Sequence, residues 1–128
     1  MRCVNSIVSC GLGLSLAASA YAHHSTSMFD EGKTITLTGA VKEFQYANPH
    51  AWLIVVVKND DGTTTTWGFE GPAGPTVLMR AGIHAGDFQP GAMVTVTGKP
   101  MKDGRPAASW VSAKRESDGK VFNTGNAN

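Results

Sequence analysis

Cysteine is nearly absent from this 128-residue chain: the two present, Cys3 and Cys10, fall within its first ten residues. A domain built from the remainder has no disulfide and no thiol chemistry at its disposal. An excess of charge of one sign is also missing. Beyond Arg2, ten Lys and Arg stand against ten Asp and Glu, with no basic run. Sequence-independent nucleic-acid binding needs a positive patch, so this balance argues against a nucleic-acid partner. No apolar run is long enough for a membrane helix. Ile7 to Ala20 is the best candidate, and it is too short to cross about 30 Å of hydrocarbon. The chain also lacks a phosphate-binding glycine loop, a nucleophile–base motif and a paired-carboxylate signature. Nothing in it therefore marks an enzyme, and it is not expected to be one.

What the first residues do carry is a secretory signal. Arg2 gives a positive start, Ile7 to Ala20 supplies an apolar region, and Ala20-Tyr21-Ala22 places small residues at −3 and −1 of a cleavage site. Residues 1–22 are thus expected to be removed, leaving His23 first and the protein in the periplasm or outside a bacterial cell. Cleavage after Ala20 also satisfies the rule, through Ala18 and Ala20. Ile7-Val8-Ser9-Cys10 loosely resembles a lipoprotein cleavage box, but too little apolar sequence precedes it. About 106 residues then remain, enough for one domain with a modest core.

Residues 23–33 read as a polar arm with Met28-Phe29 as its apolar anchor. A first strand is expected over Thr34 to Tyr46. Ile35, Leu37 and Val41 share one alternating face, whereas Phe44 and Tyr46 are in the opposite phase, so a β-bulge or bend is expected near Lys42-Glu43. After the Asn48-Pro49 turn, Ala51 to Lys58 forms a second, almost wholly apolar strand. Asn59-Asp60-Asp61-Gly62 is a hairpin turn into a third strand, Thr63 to Glu70. Thr76 to Ala81 is expected to be a short helix, with Pro75 in its first turn, Gly82 ending it, and Val77, Leu78 and Ala81 on its buried side. Gly91 to Gly98, with Val94 and Val96 inward, and Ala107 to Arg115 supply two more strands around the Lys102–Arg105 turn. A short Lys120–Phe122 piece extends the sheet, and residues 123–128 read as a disordered tail. Three strands, a helix and two strands is the order of the OB-fold, a five-stranded Greek-key barrel. The expectation is a mainly β, OB-like barrel over residues 34–122; an antiparallel sandwich is the alternative.

The sharpest chemical feature is His23-His24 at the expected new N-terminus. A first-position histidine offers one metal ion its amine and its imidazole together, and the second histidine adds a further nitrogen. Nitrogen-rich sites of low coordination favour copper(II). His50 sits in the loop between strands one and two, a rim used for ligands in OB-folds, and is placed to complete the set. The competing reading leaves His23 and His24 as a solvated end and His50 as a turn cap. Two adjacent histidines lack the spacing that makes zinc motifs specific. Trp52, Trp67 and Phe69 read as core, Glu70 and Arg80 as a structural ion pair, and His84 as exposed.

The pieces His23-His24-Ser25, Phe29-Asp30, Asn48-Pro49-His50, Trp67-x-x-Glu70, Leu78-x-Arg80-x-Gly82, Pro90-Gly91-x-x-Val94-x-Val96-x-Gly98 and Asp103-Gly104 resemble a family of small secreted bacterial proteins of unknown function. The resemblance covers nearly all of the chain after residue 22. It implies export and a compact β-fold but no reaction, and its motif residues fall here on His23, His24, Asp30, Asn48, His50, Trp67, Glu70 and Arg80. One departure is Ile83, where the family often has an aromatic residue.

Two functions follow as expectations. The first is a periplasmic metal-binding protein, copper foremost, using His23, His24 and His50. The second is a metal-free module for a small ligand or an envelope protein, with Asn48, Trp52, Glu70 and Arg80 as its recognition rim.

Overall fold

A computed structural model describes residues 28–125. Its elements are β1 (Ile35–Gln45), β2 (Trp52–Lys58), β3 (Thr64–Glu70), helix α1 (Pro75–Arg80), a 3₁₀ turn (Ala85–Asp87), β4 (Met93–Pro100), β5 (Ala107–Arg115) and β6 (Val121–Asn123). β1 pairs with both β2 and β4, β2 with β3, and β4 with β5, all antiparallel. A short parallel ladder, Gly68↔Ala107 to Glu70↔Ser109, joins β3 to β5 and closes the ring. The result is a closed five-stranded β-barrel with one short helix between β3 and β4, the mainly β, OB-like architecture expected. β6 lies outside the ring, paired with the C-terminal half of β5 from Ser112 to Lys114.

β1 serves two neighbours because it bends. The register against β2 slips between Val41 and Glu43, a bulge where the apolar phase reverses. Before the bulge Val41 faces the core. After it Phe44 does, meeting Phe88 and Trp110 edge-on at 5.2 and 5.9 Å. Leu53, Val55, Phe69, Val94, Val96 and Trp110 are fully buried and fill the barrel.

The helix plugs one end. Only Leu78 of α1 is buried; Val77 is 43% exposed and Ala81 is exposed, so the three-residue buried face expected for it is corrected to one residue. The rest of the plug comes from what ends the helix. Gly82 takes φ 77°, and the backbone N–H groups of Gly82 and Ile83 return to the carbonyls of Met79 and Leu78. This Schellman arrangement needs a residue that tolerates the left-handed region, and it drops the next side chain back onto the helix. That side chain is Ile83, fully buried beside Leu78. The Tyr46 hydroxyl ties the plug to β1, donating towards the carbonyls of Pro75 (3.0 Å) and Ile83 (2.9 Å).

The arm docks through one residue. Phe29 is buried and bridges to Met101, while Met28 is 43% exposed. Backbone bonds from Asp30 N–H to the Pro100 carbonyl and from Lys102 N–H to the Met28 carbonyl run the arm along the end of β4. At the other terminus the order extends further than expected. Asn123 belongs to β6, and buried Thr124 donates through its hydroxyl to the Trp110 carbonyl at 2.7 Å. The disordered tail expected from residue 123 is corrected to that extent; residues 126–128 lie outside the described part. Among the described residues no helix is long and apolar enough to cross a membrane.

Candidate functional site

The site forms where the β1–β2 loop meets the end of β3. Two backbone bonds fasten the loop there: Ala51 N–H to the Ala73 carbonyl (3.1 Å) and Gly71 N–H to the Ala51 carbonyl (2.8 Å). They continue the β2–β3 ladder past its last pair, Trp52↔Glu70, so His50 and Glu70 both project from a fixed backbone. The Asn48–Pro49 bond within the loop is cis. The Asn48 carboxamide packs on Gly74, just before α1, where a Cβ would have no room.

On this frame His50 Nδ1 lies 2.5 Å from Glu70 Oε1. The side chains are 36% and 18% exposed, so the pair sits at the surface with the carboxylate on its inner side. A carboxylate accepts and does not donate when ionised, so Nδ1 carries the hydrogen. In a neutral ring Nε2 then holds the lone pair. This is the arrangement that orients histidines which ligate metals: the outer partner fixes tautomer and ring plane. It also suits a hydrogen-bond acceptor for a non-metal ligand.

Two expectations change here. Glu70 pairs with His50 and not with Arg80, which stands exposed in the last turn of α1 and meets the helix dipole favourably. Trp52 is not core: it alternates with buried Leu53 and Val55 and lies on the outer face of β2. Phe69 is buried, and Trp67 packs against the core, stacked on Phe69 at 6.3 Å. His84 is 63% exposed as expected, and its backbone N–H donates to Asp87 Oδ2 at 2.7 Å.

The structure thus brings together His50, Glu70, Asn48 and Trp52 at one corner of the barrel. Arg80 belongs to α1 and takes no part in the His50–Glu70 contact. His23 and His24 lie outside the described residues. Among the described residues, no three His, Cys, Asp or Glu side chains form a group able to hold a metal ion.

Strand register, not proximity in the sequence, makes the His50–Glu70 contact. The Asn59–Gly62 turn sets Lys58 opposite Thr64, and counting back sets Trp52 opposite Glu70, two residues from His50.

No curated protein and no solved structure matches the chain. A family model, described as a family of unknown function (DUF6152), matches residues 12–109, a span that holds both Asn48-Pro49-His50 and Trp67-x-x-Glu70. The chain belongs to that family.

Proposed function

We propose that the chain is an exported small binding protein of the bacterial envelope, and that it holds copper(II) through His50 together with the N-terminal His23 and His24. The observation that carries this reading is the His50–Glu70 contact, which leaves Nε2 as the donor nitrogen of a ring already held in place. Reach supports it. The arm enters beside Pro100, which pairs with Ala108, which in turn pairs with Phe69 next to Glu70. Those ladder steps amount to roughly 15 Å. Met28 to Asp30 are held along β4, so the free segment from Met28 back to His24 spans up to about 14 Å when extended, and the imidazole side chains add to that reach. Export supplies the free amine, since cleavage after Ala22 makes His23 the first residue.

The test compares the protein beginning at His23 with one carrying an extra N-terminal residue, and with His50→Ala. Copper(II) is titrated into each, with paramagnetic resonance spectra and Trp fluorescence as readouts. The reading expects the native form to bind more tightly than both others, with a spectrum that the extra residue changes. Identical weak binding by all three would sink it.

A second reading is a metal-free ligand- or protein-binding module of the envelope. The outward run of Trp52, Ile54 and Val56 on β2 favours it, since these apolar side chains face away from the core.

A further inference from the structure

The outer face of β2 differs in character from its neighbours. Trp52, Ile54 and Val56 are part-buried and point outward, while buried Leu53, Val55 and Val57 point in. Cross-strand register fixes what surrounds them. Gln45 and Glu70 flank Trp52, Glu43 and Gly68 flank Ile54, and Ala40 and Thr66 flank Val56. Directly opposed residues share a face and stand about 5 Å apart. Gly68 shapes the surface further. A Cβ there would lie 3.2 and 3.3 Å from Trp52 Cζ3 and Cε3, so the benzo ring of the indole lies across the bare backbone of β3.

The charges beside this ring have one sign. Glu70 is the direct neighbour on β3. On β1, Gln45 Nε2 donates to Glu43 Oε2 at 3.2 Å, which holds a second carboxylate beside the residue facing Trp52. As far as β5, the two cross-strand rows, Gln45–Trp52–Glu70–Ser109 and Glu43–Ile54–Gly68–Ala107, contain no Lys or Arg; the first continues past Ser109 to Lys99, whose Nζ donates to the Thr34 hydroxyl at 3.0 Å. An indole with one carboxylate directly across on β3 and a second diagonally across on β1 attracts a cation, because the ring quadrupole is negative on its face. A guanidinium fits better than an ammonium: it is flat, stacks on aromatic rings, is weakly hydrated, and forks onto carboxylates. Each carboxylate has one oxygen engaged within the protein, Oε1 of Glu70 by His50 and Oε2 of Glu43 by Gln45, and its other oxygen can accept a single N–H from a guanidinium. Beyond Trp52 the face continues as Ile54 and Val56, spaced about 7 Å apart, the same-face period of an extended chain.

We infer that the outer face of β2 docks an extended segment of a partner protein, which sets an arginine on Trp52 between Glu43 and Glu70 and an apolar side chain two residues away over Ile54. This gives the metal-free reading its ligand chemistry and rests on it. It does not depend on copper, so it is tested with a chelator present, and the copper titration stands or falls separately.

The test follows the backbone amide signals of Ile54 and Gly68 by NMR in the ¹⁵N-labelled protein. The probes are a blocked pentapeptide with one arginine between valines, the same peptide with citrulline (a neutral isostere), and methylguanidinium alone. The arginine peptide is expected to produce saturable shifts. Affinity is expected to fall about fivefold or more with citrulline, with Trp52→Leu and with Glu43→Gln, each variant keeping the wild-type melting temperature. Equal binding of the arginine and citrulline peptides overturns the proposal, as does unchanged affinity in either variant or the absence of saturable shifts. Methylguanidinium binding as tightly as the peptide overturns the assignment to a protein segment.

Discussion

Replacing Tyr46 by Phe removes one oxygen and tests how the helical plug is held. The Tyr46 hydroxyl faces two carbonyls, those of Pro75 and Ile83, at 3.0 and 2.9 Å. These bracket α1, one at its first residue and one just past its end. The ring packs edge-on against Phe44 at 5.5 Å, and a phenylalanine keeps that contact. The loss is therefore confined to hydrogen bonding. A hydrogen bond contributes about 1 kcal/mol net, and a polar group left without a partner costs about 1–3 kcal/mol. Because one proton serves both carbonyls and water reaches this part-buried spot, a total of about 1–2 kcal/mol is expected. In a domain of this size that lowers the melting temperature by roughly 5–15 °C. Circular dichroism would read the melting curve. Hydrogen exchange would show where the change falls, with faster exchange expected at the Leu78 and Ile83 amides and little change in β4 and β5. A melting temperature within about 2 °C of wild type, with exchange at those amides unaltered, would refute the idea that this hydroxyl fastens the plug.

The corrected helix face makes a paired prediction. Leu78→Ala should cost about 2–5 kcal/mol in urea unfolding, whereas Val77→Ala should fall within about 0.5 kcal/mol of wild type; equal effects would mean the helix is turned differently. A further expectation concerns acid. Arg115 forks onto Asp118 through Nε and Nη2 at 3.1 and 2.7 Å, and this hydrogen bonding, foremost among the causes, lowers the Asp118 carboxyl to about 2 from 3.8. A carboxylate with a depressed folded-state value stabilises the fold above its unfolded value and loses that contribution as pH falls towards the folded one. Asp118→Asn should therefore unfold more easily than wild type at neutral pH, and the gap should close between about pH 4 and pH 2. A gap that stays constant through that range would contradict the assignment.

Much of the barrel was readable because its signals are local and phased. The switch of apolar parity between Val41 and Phe44 can be met only by an extra residue, and the bulge lies between Val41 and Glu43 as expected. The hairpin turn at Asn59–Gly62 likewise fixed β2 against β3, with Gly62 at φ 86°. Phase was illegible where alternation was missing. Residues 51–57 are all apolar, so nothing in that run says that Trp52 faces outward. Six helical residues are too few for a 3.6-residue period to declare a face, and Ile83, which completes the plug, lies beyond the helix that positions it. Half of the candidate site was legible as residue types. The partnership was not: Glu70 is nearer in sequence to Arg80 than to His50, and only strand register brings the histidine closer.

The parallel ladder that closes the barrel has a consequence for when the site comes into being. It holds three residue pairs, against six or seven in each of the other ladders of the ring. It also joins residues about forty apart in the chain, as Phe69 with Ala108. Hairpins such as β2–β3 close small loops and form fast, but a contact of this separation must first meet a larger entropic cost. With only three pairs, this seam is the weakest ladder of the ring and is expected to part first under strain. Glu70, the residue that orients His50, is the last rung of that seam. Its β2 side can be in place while its β5 side is still open, so the His50–Glu70 contact can precede ring closure, while the full surroundings of Glu70 await it.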